Sequence, residues 1–303
     1  MTSENQQVVL LDGGMGQELR RRSRQPASPL WSAQVMLDEA VLVTAAHRDF
    51  IDAGARVITA NTYSATPQRL ARDADAALFE PLQAAALKAA EDARQQSGQD
   101  VRIAGCLGPL VASYRPDLAP DDATCLADYR RMVAHQSQGV DLFIVETMAL
   151  AREARAATVA AAESQLPVWT AFTVDDGDGT RLRSGEPLID ATRDIIAAGA
   201  SRVLVNCSVP EAVTTAMAEL ATLGTPFGGY ANGFTSVAAL QPGGTVDVLE
   251  ARTDLDPSAY ADHALDWVAE GATLVGGCCE VGPAHIAALA ERLTAAGYTV
   301  VAA

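Results

Sequence analysis

Residues 187–207 read PLIDATRDIIAAGASRVLVNC. The first half carries apolar residues at helical spacing, which predicts a helix over 187–198. Ala198-Gly199-Ala200 then supplies the left-handed glycine that turns a helix into a strand. A short β-branched run over 203–207 follows and ends on Asn206-Cys207, a polar and a sulfur side chain at a strand exit. Helix, glycine turn and short buried strand make one repeat of a parallel sheet covered by helices.

The same punctuation recurs at Ala53-Gly54-Ala55, Gly139-Val140 and Glu270-Gly271-Ala272. Strand-like runs fall at 8–12, 57–61, 103–106, 142–146, 168–173, 203–207, 227–231 and 274–277. Helix candidates between and after them cover 39–53, 79–95, 123–138, 151–163, 187–198, 210–223, 257–269 and 283–295. Eight units in 303 residues predict a single-domain α/β fold over 1–303, a (β/α)8 TIM barrel. An open doubly wound sheet is the competing architecture, but Gly13-Gly14-Met15-Gly16 after the first strand does not fit the GxGxxG fingerprint.

The chain is 49% hydrophobic but only 5% aromatic, so its core must be built from Ala, Val, Leu and Ile. With 38 acidic and 22 basic residues, the net charge of -16 repels nucleic acid and anionic membranes, and no Lys/Arg cluster overrides that field. The opening MTSENQQVVLLDGG lacks a basic n-region, and its apolar stretch is too short for a signal or a span, which points to the cytoplasm. Five cysteines, two of them adjacent, suit reduced thiols better than a disulfide framework. Expected partners are small molecules; nothing in the sequence sets an oligomeric state.

In a parallel barrel, catalytic groups gather where the strands exit, because only that rim lets many strands converge. The exits here are Asp12, Asn61, Cys106, Glu146, Thr173, Cys207, Asn232 and the pair Cys278-Cys279. Exits 6 and 8 are one strand apart, so Cys207 and the Gly276-Gly277-Cys278-Cys279 run can reach one ion. Zinc accepts thiolate sulfur tetrahedrally, and a catalytic zinc site keeps one position open; three cysteines and a vacancy fit that description. The two glycines are expected to bend the backbone so that adjacent cysteines face the same ion. Cys106 and Cys125 are read as small buried hydrophobes. The histidines His47, His135, His263 and His285 lie in helix candidates without spaced partners and are read as surface or packing residues.

At these residues the sequence resembles the homocysteine S-methyltransferases, the group that includes S-methylmethionine and betaine:homocysteine methyltransferases. The likeness runs end to end through 11–19 (LDGGMGQEL), 30–33 (LWSA), 61–66 (NTYSAT), Gly108-Pro109, Glu146-Thr147, Asn206-Cys207 and Gly276-Gly277-Cys278-Cys279. The resemblance implies a barrel with zinc on Cys207, Cys278 and Cys279, and a methyl transfer to homocysteine that yields methionine. It implies that Glu146, with Asp12 nearby, takes the acceptor's ammonium, and that Asn61 belongs to the same binding surface. It also makes Asn232 a labile fourth ligand before substrate arrives. Backbone N–H groups around Gly13, Gly14 and Gly16 are suited to the acceptor's carboxylate.

The expected donor is an onium compound, S-methylmethionine or S-adenosylmethionine. Betaine enzymes of the group carry an aromatic residue after the glutamate, where this chain has Thr147. Trp31 is placed to face a sulfonium by cation–π attraction. Other readings are a different thiol or selenol acceptor, a betaine-type donor, or a non-catalytic zinc- or thiol-binding barrel.

Overall fold

The structure, a computed structural model, describes residues 7–24, 30, 32–244 and 246–302. Among these residues nine strands form one parallel sheet: β1 (Gln7–Leu10), β2 (Val57–Thr59), β3 (Arg102–Leu107), β4 (Leu142–Met148), β5 (Val168–Phe172), β6 (Arg202–Asn206), β7 (Phe227–Tyr230), β8 (Leu274–Val275) and β9 (Thr299–Val301). Their order is β2-β3-β4-β5-β6-β7-β8-β1-β9. The sheet closes through a parallel bridge between Leu11 and Val57. Around this junction Asp12 N–H donates to Val57 O and Arg56 N–H to Leu10 O. The (β/α)8 barrel expected from the eight runs is thus the observed fold.

The helices are α1 (Met15–Arg22), α2 (Ser32–Asp38), α3 (Ala40–Asp52), α4 (Pro67–Asp73), α5 (Phe79–Ser97), α6 (Asp122–Gln136), α7 (Ala151–Ala162), α8 (Leu188–Ala197), α9 (Pro210–Leu220), α10 (Pro257–Ala269) and α11 (Pro283–Ala295). No helix among the described residues is long and apolar enough to cross a membrane. Gly54, Gly199 and Gly271 take φ of 118°, 114° and 106°, as the helix-to-strand turns required. The ninth strand was not expected. It pairs Gln7–Val9 with Thr299–Val301, and Val301 packs against the barrel interior.

Alternation along each strand sorts side chains between two cores. In β4, Leu142 and Ile144 face inward while Phe143 and Val145 pack under the helices. In β6, Leu204 is inside and Val203 and Val205 are outside. Inside the barrel, Trp169 and Tyr230 fill space that the many small residues leave open. Carried to the strand ends, the inward series reaches Cys106, Glu146 and Asn206, so the rule that builds the core also selects what the mouth of the barrel presents.

His47 on α3 is fully buried, and neither ring nitrogen has a partner. Burial lowers its pKa to about 4. The unfolded chain takes up this proton below about pH 6.5, whereas the native state does so only near pH 4. The contribution of neutral, buried His47 is therefore complete above pH 6.5 and is lost as pH falls to 4, by about 3 kcal/mol. Urea unfolding at pH 7 and pH 4 should show that His47→Leu loses less stability on acidification than the parent chain. An identical loss in both proteins would show that His47 is not the group responsible.

Candidate active site

Strand β6 continues into Asn206 and Cys207, and simple alternation would aim Cys207 outward at the helices. Instead its backbone turns left-handed at φ 52°, an uncommon state for a residue with a Cβ. Three contacts hold that turn. Cys207 N–H donates to Tyr230 O at 3.1 Å. Its carbonyl accepts from Asn232 Nδ2 at 2.9 Å and from Thr173 Oγ1 at 3.2 Å. Strain of order 1–3 kcal/mol is held in place this way, and the sulfur is delivered to the barrel mouth.

Cys278 and Cys279 lie on a turn beyond the end of β8, closed by Val281 N–H to Cys278 O at 3.1 Å with Glu280 at φ 65°. The left-handed residue is Glu280 and neither of the two glycines, which corrects the reason expected for them. A Cβ at Gly277 would meet Val281 Cγ1 at 2.1 Å, and one at Gly276 would meet Leu11 Cβ at 2.5 Å. Gly276 permits close packing against Leu11 and Asp12 just past β1, and Gly277 against Val281, while the turn brings both sulfurs near Cys207. Gly13 and Gly14 are the other half of this contact: a Cβ at Gly14 would lie 2.5 Å from Cys278 O.

The sulfurs of Cys207, Cys278 and Cys279 lie within 4.8 Å of one another. Cys207 Sγ is 3.8 Å from Cys279 Sγ. Metal–thiolate bonds of ~2.3 Å at tetrahedral angles separate sulfurs by roughly 3.8 Å, the spacing that Cys207 and Cys279 already have. Cys207 and Cys278 are joined as a disulfide, where the sequence pointed to reduced thiols. Their Cα atoms are 5.7 Å apart, a spacing that also allows the pair to bond to each other.

The cavity beside the sulfurs is lined by Asp12, Gly13, Gly14, Gln17, Asn61, Cys106, Tyr114, Glu146 and Tyr230, among others. Among the described residues no lysine, arginine or histidine lines it. Asp12 accepts from Thr59 N–H at 2.8 Å and from Thr59 Oγ1 at 3.2 Å. Burial, reinforced by the nearby Glu146 charge, pushes its carboxyl up to about 8 despite the Thr59 bonds. Glu146 accepts from Cys106 Sγ at 2.9 Å and from Tyr230 Oη at 3.3 Å. Burial raises its pKa as well, against those two bonds. Two carboxyl groups held without a counter-charge make the pocket a receptor for a cation.

The sequence matches the homocysteine S-methyltransferase family over residues 9–293. The chain belongs to that family. A homocysteine S-methyltransferase of Escherichia coli (strain K12) is 32% identical over 95% of this chain and 96% of its own length. A selenocysteine Se-methyltransferase of Brassica oleracea var. italica is 26% identical over 94% of this chain and 88% of its own. The metallated crystal form of the homocysteine methyltransferase MmuM from Escherichia coli aligns with a TM-score of 0.78, at 29% identity, over 94% of this chain and 96% of that one.

Several residues that the family resemblance singled out meet at one cavity: Asp12, Gly13, Gly14, Asn61, Glu146, Cys207, Cys278 and Cys279. Trp31 lies outside the described residues. Asn232 does not join them. It is fully buried, its Nδ2 donates to Cys207 O, and its Oδ1 accepts from Phe234 N–H at 3.0 Å. Both ends of the amide are engaged with backbone, so in this arrangement Asn232 braces Cys207. Cys106, expected to be mere packing, is a thiol bonded to Glu146; Cys125 is buried and its thiol donates to Pro120 O.

Proposed function

We propose that this methyltransferase passes a methyl group from an onium donor to the sulfur of homocysteine, with zinc held by Cys207, Cys278 and Cys279. The observation that carries the reading is the convergence of three sulfurs on a cavity with two carboxyl groups and no basic side chain. A soft, all-sulfur donor set favours zinc over magnesium or calcium. When bound, zinc supplies the charge that keeps the acceptor's sulfur deprotonated at neutral pH.

The protein's own groups do the rest. Glu146 and Asp12 receive the acceptor's ammonium, whose charge favours their ionised forms and offsets the burial that raises both pKa values. The first turn of α1, where Met15, Gly16 and Gln17 line the cavity, offers N–H groups to the acceptor's carboxylate. Fixing both ends of the amino acid orients its sulfur for in-line attack, which is where the rate gain from positioning arises. No side chain has to remove a proton during methyl transfer itself. A mouth with two acids and no basic side chain suits a cationic donor that leaves as a neutral molecule.

The test is a donor panel with reduced, zinc-loaded protein and homocysteine, read as methionine formed. S-methylmethionine or S-adenosylmethionine should support turnover, and betaine should be much poorer. No methionine from any donor would overturn the reading in favour of a non-catalytic barrel. Faster turnover with selenocysteine than with homocysteine would favour the selenol acceptor that the Brassica oleracea relative's name carries.

A further inference from the structure

An acceptor held among protein thiolates poses a problem of selection, because one methyl donor faces several sulfur nucleophiles and only the substrate's should react. Each protein sulfur has its own polar neighbour. Tyr114 Oη donates to Cys207 Sγ at 3.3 Å. Asn206, fully buried, gives one N–H to Thr147 Oγ1 at 2.9 Å and directs the other at Cys278 Sγ at 3.9 Å. Gln17, 5% exposed, has a buried amide nitrogen with no formed partner and lines the same cavity as Cys279.

These donors come from three separate strand exits, and two are braced from behind. Tyr114 sits at φ 62° with the Arg183 guanidinium 5.0 Å from its ring centroid. Arg183 is itself fixed by Thr173 Oγ1 at 2.9 Å and by Asp176 at 2.9 Å. Asn206 Oδ1 accepts from Thr147 N–H at 2.8 Å, which locks its amide. A hydrogen bond to an anionic sulfur stabilises the anion, and a more stable anion is a weaker nucleophile.

Building on the zinc and onium reading above, we propose that Tyr114, Asn206 and Gln17 are positioning residues that restrain Cys207, Cys278 and Cys279 from taking the methyl group. The restrained reaction is balanced: a cysteine thiolate pair forms a new S–CH3 bond, the donor's C–S⁺ bond breaks, and its electron pair leaves with a neutral thioether. The product is a methylated cysteine, a poor metal ligand, so each such event costs one enzyme molecule. The substrate's sulfur brings no donor of this kind and stays the best nucleophile in the site.

The experiment treats reduced, zinc-loaded protein with methyl iodide and, separately, with S-methylmethionine, both without homocysteine, and maps methylated cysteines by peptide mass spectrometry. Tyr114→Phe should raise methylation of Cys207 by about tenfold while leaving Cys279 unchanged. Gln17→Met should do the reverse. Cys125, buried away from the site, is the internal reference. Equal labelling of Cys207 in the parent chain and in Tyr114→Phe would overturn the proposal, as would a uniform rise at every cysteine, which marks loosened structure. Methyl iodide needs no donor site, so this ratio is read whether or not the same preparation makes methionine.

Discussion

Serine at Cys207 or Cys278 is expected to strip the protein of its metal and abolish turnover while leaving the barrel folded. A hydroxyl does not ionise at neutral pH, so the variant offers two anionic ligands to an ion that needs three. Binding of zinc to a complete thiolate set is worth on the order of 10 kcal/mol or more, and losing one of three thiolates should weaken it by about 10³-fold or more. The barrel should survive because Cys207, Cys278 and Cys279 lie beyond the strand ends and serine is close to cysteine in size. Metal analysis after dialysis, circular dichroism and methionine formation check the three parts. Full zinc and full activity in either variant would remove the cysteines from the mechanism.

Glu146→Gln is expected to raise KM for homocysteine about 10²-fold and to change kcat much less. The amide matches the carboxylate in size and keeps an acceptor for Tyr230, so packing is preserved, but it offers no charge to an ammonium held out of water. Breaking a buried charge pair costs about 3–5 kcal/mol, part of which Asp12 recovers. A homocysteine analogue lacking the amino group, 4-mercaptobutanoic acid, should bind the two proteins alike. Unchanged homocysteine affinity in Glu146→Gln would assign the ammonium to another partner.

Both expectations begin from features visible in the sequence, and the boundary of what was visible has physical causes. The barrel was legible because four of the β-branched runs are set off by a glycine turn; Gly54, Gly199 and Gly271 took the positive φ expected, and Gly139 did not. β9 was missed because three residues near the end of the chain carry too little pattern to mark a strand. α4 was missed although it had a signal: Thr66 caps it by accepting from Arg69 N–H, and Pro67 opens its first turn.

At the site, position along the chain fixed which residues reach the mouth but not where their side chains point. Asn232 stands at a strand exit and faces backbone. Cys207 faces the mouth only through a left-handed turn for which a residue with a Cβ leaves no mark in the sequence. Strict alternation would have found Cys106, Glu146 and Asn206 together, as continuations of Ala104, Ile144 and Leu204. Tyr114 comes from the loop after β3, where no periodicity applies, and Gln17 from the short helix α1, which the sequence reading did not delimit.

X-ray absorption at the zinc edge of reduced, zinc-loaded protein tests the central claim most directly. Three sulfur neighbours at ~2.3 Å should become four when homocysteine is added. A protein that retains no zinc, or a first shell without sulfur, would contradict it.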